Sequence, residues 1–158
     1  MSTLPSASSS ERTSATIDIV NVRRFDATCE QIYSALSDPQ QFAQWWGPAG
    51  FTNTFHRFDF QAGGDWLYTM HGPDGANFDN ESVFVEIAPP CRLVFEHLRP
   101  YHWYRMTMTL RPMDKGAELT WVMNFEDTPE NASLKSFIEK ANEENLDRLA
   151  AHLARNAI

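Results

Sequence analysis

From Phe51 to Asp127 apolar and polar residues alternate with a period of two, interrupted at Gly63-Gly64, Pro73-Asp74-Gly75, Pro89-Pro90, Arg99-Pro100 and Asp114-Lys115-Gly116. Alternation puts successive side chains on opposite faces of a strand, and clusters of Gly, Pro and Asp mark where the chain reverses. The pattern predicts six strands, at roughly 51–60, 65–72, 78–88, 91–98, 102–112 and 117–126. The connections are too short for parallel crossovers, so these strands form an antiparallel meander. An earlier β-branched stretch, IDIVNVRRF at 17–25, predicts one more strand ahead of them.

Between that strand and the meander the period changes. Thr28, three residues before Gln31, has the form of a capping box, and Asp38-Pro39 reads as an N-cap with proline at the first helical position. Two short helices are predicted, at about 28–37 and 39–46, the second ended by Gly47-Pro48. Thr128-Pro129 opens a long helix running to about Arg155. At about 100° per residue, Leu134, Ile138, Asn142, Asn145, Leu146, Leu149 and Leu153 share one face of it. Such a face must be buried, and the only large surface available is the inner face of the sheet. The expected architecture is α+β: a curved antiparallel sheet of about seven strands around a long C-terminal helix, with two short helices after the first strand.

A chain of 158 residues suits one domain. Residues 17–158 read as that domain, and the Ser/Thr-rich residues 1–16 as a disordered tail. A net charge of −8 and the lack of any basic run exclude nucleic acid as a partner. No stretch is apolar enough to span a membrane, and the first residues lack the basic start and apolar core of a secretory signal, so a cytoplasmic protein is expected. Cys29 and Cys91 read as reduced thiols rather than a disulfide framework.

The element order, together with WWGP after the second short helix, GGDWLYTM, VEIAPPCRLVFEH, GAELTWVMNF and NLDRLAAHLA, resembles the START-like (SRPBCC) superfamily. Within it the chain is most similar to the branch named after the activator of the heat-shock protein 90 ATPase. The resemblance spans about residues 17–155 and implies a helix-grip domain whose pocket, between sheet and helix, holds an apolar ligand. It carries over no catalytic signature. Relatives often have Gly-Trp where this chain has Ala141-Asn142, so a ring is missing and an amide faces inward. That implies a larger, more polar pocket, or another aromatic filling the space.

Extending the alternation inward selects Trp66, Tyr68 and Met70; Glu81, Val83, Val85 and Ile87; Leu93, Phe95 and His97; Tyr104, Met106, Met108 and Leu110; and Leu119, Trp121, Met123 and Phe125. Most of these are core. The expected ligand-contacting residues are Trp46, Tyr68, Met70, Glu81, His97, Tyr104, Trp121, Ile138, Asn142 and Asn145, the polar ones standing on an otherwise apolar face. Trp46 is expected to close the pocket, and Trp45 to lie between the short helices and the sheet. A carboxylate and an imidazole on one face, Glu81 and His97, form a candidate acid–base pair, set against a reading in which both are merely satisfied polar residues. His56, His71, His102 and His152 show no metal-ligand spacing, and no nucleophile motif is present, so no catalytic residue, metal or cofactor is expected.

The resulting reading is a module for a small apolar or amphipathic molecule. The alternatives are a cyclase- or hydrolase-like enzyme in the same pocket, and a chaperone-associated interaction protein. Homodimer formation and a chaperone partner stay open.

Overall fold

The computed structural model describes residues 16–156. Strand β1 (Thr16–Phe25) leads into helices α1 (Cys29–Ser37) and α2 (Pro39–Trp45). Then come β2 (Thr52–Phe58), β3 (Asp65–His71), β4 (Asn77–Ala88), β5 (Arg92–Arg99), β6 (Tyr104–Pro112), β7 (Ala117–Glu126) and α3 (Pro129–Arg155). The expected tail falls on residues outside the described ones, apart from Thr16, which already belongs to β1.

Each helix starts at its predicted cap. Thr28 Oγ1 accepts from the Gln31 N–H at 3.0 Å while Gln31 Oε1 accepts from the Thr28 N–H at 2.8 Å, closing the capping box. Asp38 Oδ1 accepts from the Gln40 N–H at 3.0 Å, and Thr128 Oγ1 from the Asn131 N–H at 3.1 Å. Each of these bonds satisfies a donor that the first helical turn leaves without a partner, and losing one costs about 1 kcal/mol.

The seven strands form a single antiparallel sheet in the order β1-β7-β6-β5-β4-β3-β2. Helix α3 lies along β1 and is held there by polar contacts: Asn21 Nδ2 donates to Glu143 Oε2 at 2.7 Å, and Arg23 pairs with Glu143 at 2.8 Å and with Asp147 at 3.0 Å. Below the helix one continuous core joins Leu146 and Leu149 to Trp45, Trp46, Trp66, Phe95 and Trp121. Burying a large apolar side chain contributes about 1.5–3 kcal/mol, so this aromatic layer is the main source of cohesion between sheet and helices.

The expected inward residues are on the inner face of β3, β5, β6 and β7. On β4 they are not. Asn80, Ser82 and Phe84 are buried, while Glu81 and Val85 face out. The register against β5 shifts between Phe84 and Glu86, and again between Glu81 and Ser82. A β-bulge adds one residue to one strand and inverts the alternation beyond it. Ile87 therefore points inward as predicted, and every residue counted back from it through the bulge falls on the wrong face.

Candidate functional site

The candidate site is framed by the way α3 is tied down. Its first turn is held to the end of β7 by Asn131 Nδ2, which donates to the Glu126 carbonyl at 2.8 Å. Its second half is pinned by Asn21 and Arg23 and by Arg148. From Ala132 to Ala141, between these anchors, no residue is buried, and Leu134 and Ile138 are only half covered. This segment of α3 starts at the end of the sheet where Tyr104 pairs with Phe125 and His97 pairs with Tyr104.

On the inner face there, Tyr68 pairs with Asn80, Trp66 with Ser82, and Ser82 with His97. The His97 ring stacks on Tyr104, with centroids 4.8 Å apart and planes 14° from parallel. His97 Nε2 lies 2.8 Å from Asn80 Oδ1, and Nδ1 lies 3.0 Å from the His102 carbonyl oxygen. Asn80 Nδ2 donates to the Phe78 carbonyl at 2.8 Å, which orients its oxygen toward the imidazole. Burial lowers the His97 pKa, outweighing the His102 carbonyl, which raises it. Burial pushes the Tyr68 phenol up, and it pushes Tyr104 well above the usual range with a further push from Tyr68.

The two adjacent tryptophans have different partners. Trp45 Nε1 donates to the Ala35 carbonyl at 3.0 Å, locking α2 to α1. Trp46 packs against Trp66 at 5.6 Å, Trp121 at 5.8 Å and Phe95 at 6.0 Å, inside the sheet. Both rings are in the core, Trp45 being 0% and Trp46 4% exposed. Trp46 has already left the helix, at φ −68 and ψ 136, so the 100° helical offset no longer separates the two rings.

Several expected site residues converge here: Trp46, Tyr68, His97, Tyr104 and Trp121 line the inner face, with Met70 and Ile138 packed at its margin. Glu81 does not join them. Its side chain is 49% exposed and pairs with Arg99 at 3.1 Å on the outer face. The acid–base pair is therefore split across the sheet, because the bulge reversed the face of Glu81.

Asn142 is buried, and its Nδ2 donates to Asn21 Oδ1 at 3.0 Å and to Met123 Sδ at 3.1 Å. The amide that replaces the missing ring thus ties the helix to the sheet. Asn145 Oδ1 is buried without a hydrogen-bond partner, as are Trp46 Nε1, Trp66 Nε1, Trp121 Nε1 and Ser82 Oγ. Ser82, Asn80 and Asn21 were missed in the sequence. Taking Phe84 rather than Ile87 as the inward marker of β4 selects Ser82 and Asn80, and Asn21 is the polar residue in the inward phase of Ile19.

A separate cleft of about 520 Å³ lies between α1, Gln41 of α2 and the end of α3 at Leu153 and Asn156. It contains none of the expected site residues. Among the described residues no group of three or more His, Cys, Asp or Glu is placed to hold a metal, and no helix is long and apolar enough to cross a membrane.

Comparison with known proteins agrees with this fold. A protein from Arthrobacter aurescens shares 26% identity and a TM-score of 0.81, over 87% of this chain and 86% of its own. A Rhodobacter sphaeroides protein shares 28% identity and a TM-score of 0.77, over 87% and 92%. The AHSA1 protein from Silicibacter pomeroyi, at 21% identity, is similar in fold, with a TM-score of 0.73 over 89% and 99%. Among curated proteins none matches. The family model described as Activator of Hsp90 ATPase homolog 1-like protein matches residues 26–154. With that match over most of its length, and with the helix-grip architecture of the START-like superfamily, the chain belongs to the Activator of Hsp90 ATPase homolog 1-like family.

Proposed function

We propose that the domain binds one small, largely apolar molecule between α3 and the inner face of the sheet. The observation that carries this reading is the loosely covered first half of α3. Leu134 and Ile138 share the inner face with Leu149, yet only Leu149 is fully buried. Apolar side chains left half covered along one helix segment, over an aromatic face, are the features of a mostly apolar recess with a few polar groups. Tyr104 supports the same reading: its phenol is desolvated enough to raise its pKa well above normal, while the residue keeps accessible surface.

The expected contacts are Trp46, Tyr68, Met70, His97, Tyr104, Trp121 and Ile138. Asn145 contributes an unpartnered amide oxygen, and Asn142 acts as a strut rather than a contact. The enzyme alternative loses its acid–base pair, and the chaperone alternative rests on the family description alone.

The test is mass spectrometry of the intact chain under mild conditions, combined with a thermal-shift screen of fatty acids, sterols and aromatic polyketides. A ligand at about 100 times its Kd adds about 2.7 kcal/mol, a rise of several degrees in Tm. If no class produces a bound mass or a shift, the reading fails.

A further inference from the structure

The sheet ends in two open strands, and they differ. β2 shifts register between Phe55 and Arg57 and is tied to α2, to whose Ala43 carbonyl Asn53 Nδ2 donates at 3.1 Å. An irregularity of this kind keeps an edge from pairing further. β1 has no such protection. It pairs with β7 without a break from Thr16–Glu126 to Phe25–Ala117, and among the described residues no strand lies on its other side. In an antiparallel ladder alternate residues direct their N–H and C=O groups away from the neighbour, so half of the β1 backbone is open to a further strand.

Ile19, Asn21 and Phe25 are buried on the inner face, which leaves Thr16, Asp18, Val20, Val22 and Arg24 on the outer one. Val20 and Val22 are 56% and 49% exposed, and such residues on an unpaired edge invite another strand. A second copy of β1, laid antiparallel about a two-fold axis at Asn21, matches this row. Val20 then faces Val22 of the other copy, and Asp18 faces its Arg24, each pair occurring twice by symmetry. On the inner face Ile17 meets Phe25. An axis at Val20 would set Asp18 against Val22, and an axis at Val22 would set Asp18 against Asp26 and Val20 against Arg24. Only the Asn21 register joins opposite charges and apolar partners together, and such cross-strand pairs are what select a register.

The charged groups are free to take part. Asp18 engages Thr16 and Asn124 through Oδ1 alone, and Arg24 reaches Glu118 through Nε at 3.5 Å. Glu143 and Asp147, the carboxylates of α3 beside this strand, are already paired with Arg23.

We propose that β1 is a self-association edge: two copies of this chain pair β1 with β1 antiparallel about Asn21 and join their sheets into one. This is independent of the ligand-binding reading.

Sedimentation of the full chain from about 1 to 500 μM should show a monomer–dimer equilibrium. Asp18→Arg and Arg24→Asp each set like charges opposite one another, and each should raise the dimer Kd by at least about tenfold. The double variant carrying both reversals should return it to within about threefold of the original value. Val20→Lys should abolish the dimer while leaving the monomer's Tm unchanged, since a lysine blunts an edge and this position is exposed. In the unmodified chain, amide exchange at residues 16–25 should slow as concentration rises through the Kd, a readout that needs no variant to fold. A monomer at every concentration, as expected if another segment or another protein takes this edge, overturns the proposal. So does a dimer indifferent to the charge reversals, a weakening that the double variant does not reverse, or exchange in β1 that ignores concentration.

Discussion

Arg148 donates through Nη1 to the carbonyl of Gly47 at 2.9 Å. The same guanidinium reaches the carbonyls of Trp46 and Pro48 at 3.1 Å each, and that of Gln44 at 3.0 Å. One side chain of α3 thus gathers four carbonyls from the last turn of α2 and the turn that follows it, at a helix end where a cation is also favoured by the dipole. This contact explains why the tryptophan pair and the last helix belong together: the turn that places Trp46 in the core is fastened to α3 by Arg148.

Arg148→Ala should remove the donor to the Gln44 and Gly47 carbonyls, while Trp46 keeps Asn53 Nδ2 and Pro48 keeps the Phe51 N–H, and should destabilise the domain by about 1–3 kcal/mol, read as a fall in the urea midpoint with unchanged slope. Arg148→Lys should recover only part of that, because an ammonium lacks the planar fork that serves four acceptors. Full recovery by lysine would show that charge alone matters.

Gly47→Ala tests the turn itself. Gly47 has φ +101, and a Cβ there would stand 2.9 Å from Met70 Cε and 3.2 Å from Phe51 Cβ. Backbone strain in this region costs about 1–3 kcal/mol. Met70→Ala in the same chain should relieve only the steric share, so the double variant should stay less stable than Met70→Ala alone in denaturant titration.

Trp46→Ala should cost about 3–5 kcal/mol, as expected for a fully packed ring, and should also weaken ligand retention in the thermal-shift assay. A loss below about 1 kcal/mol would mean that the ring is not part of the cohesive layer.

Asn142→Trp, which restores the ring that relatives often carry, should lower the Tm rather than raise it. It removes the donor to Asn21 Oδ1 and forces an indole into a packed tie. A double-mutant cycle of Asn21→Ala with Asn142→Ala should report coupling of about 1 kcal/mol. Additivity would mean that the two amides act independently.

Stability should fall in mild acid. Burial lowers the pKa of both His97 and His152 below 6.5, the value expected in the unfolded chain. The unfolded state then binds the protons first, so stability is complete at higher pH and is lost as pH drops through about 6.5 toward the folded values. Each histidine contributes a slope of at most about 1.4 kcal/mol per pH unit. Glu143, whose pKa is held down by Asn21 and then Arg23, adds its loss at lower pH, as pH falls from the ordinary carboxylate value toward its lowered one. Urea titrations across this range should show the decline, and His152→Gln should flatten it. Glu81→Gln, by contrast, should change stability by less than about 0.5 kcal/mol and leave any ligand shift intact, since its ion pair is on the outer surface.

What the amino-acid sequence determines by itself is the local order. Thr28, Asp38 and Thr128 start the helices where their side chains reach free N–H groups. Period-two alternation identifies the inward residues of β3, β5, β6 and β7, because in an unbroken strand the face follows from counting. Tertiary structure decides the rest. The bulge at Phe84–Glu86 arises from the pairing of β4 with β5, and it moved Glu81 outside and brought Asn80 and Ser82 in. Asn142 reads from sequence as an amide in need of a partner, and only the packing of α3 on β1, 121 residues away in the chain, supplies Asn21. Arg148 carries no periodic signal at all, since its role depends on the carbonyls of a turn about 100 residues earlier. Alternation and capping are short-range and repeat along the chain; bulges, polar ties and unsatisfied donors depend on which strands and helices come to lie together.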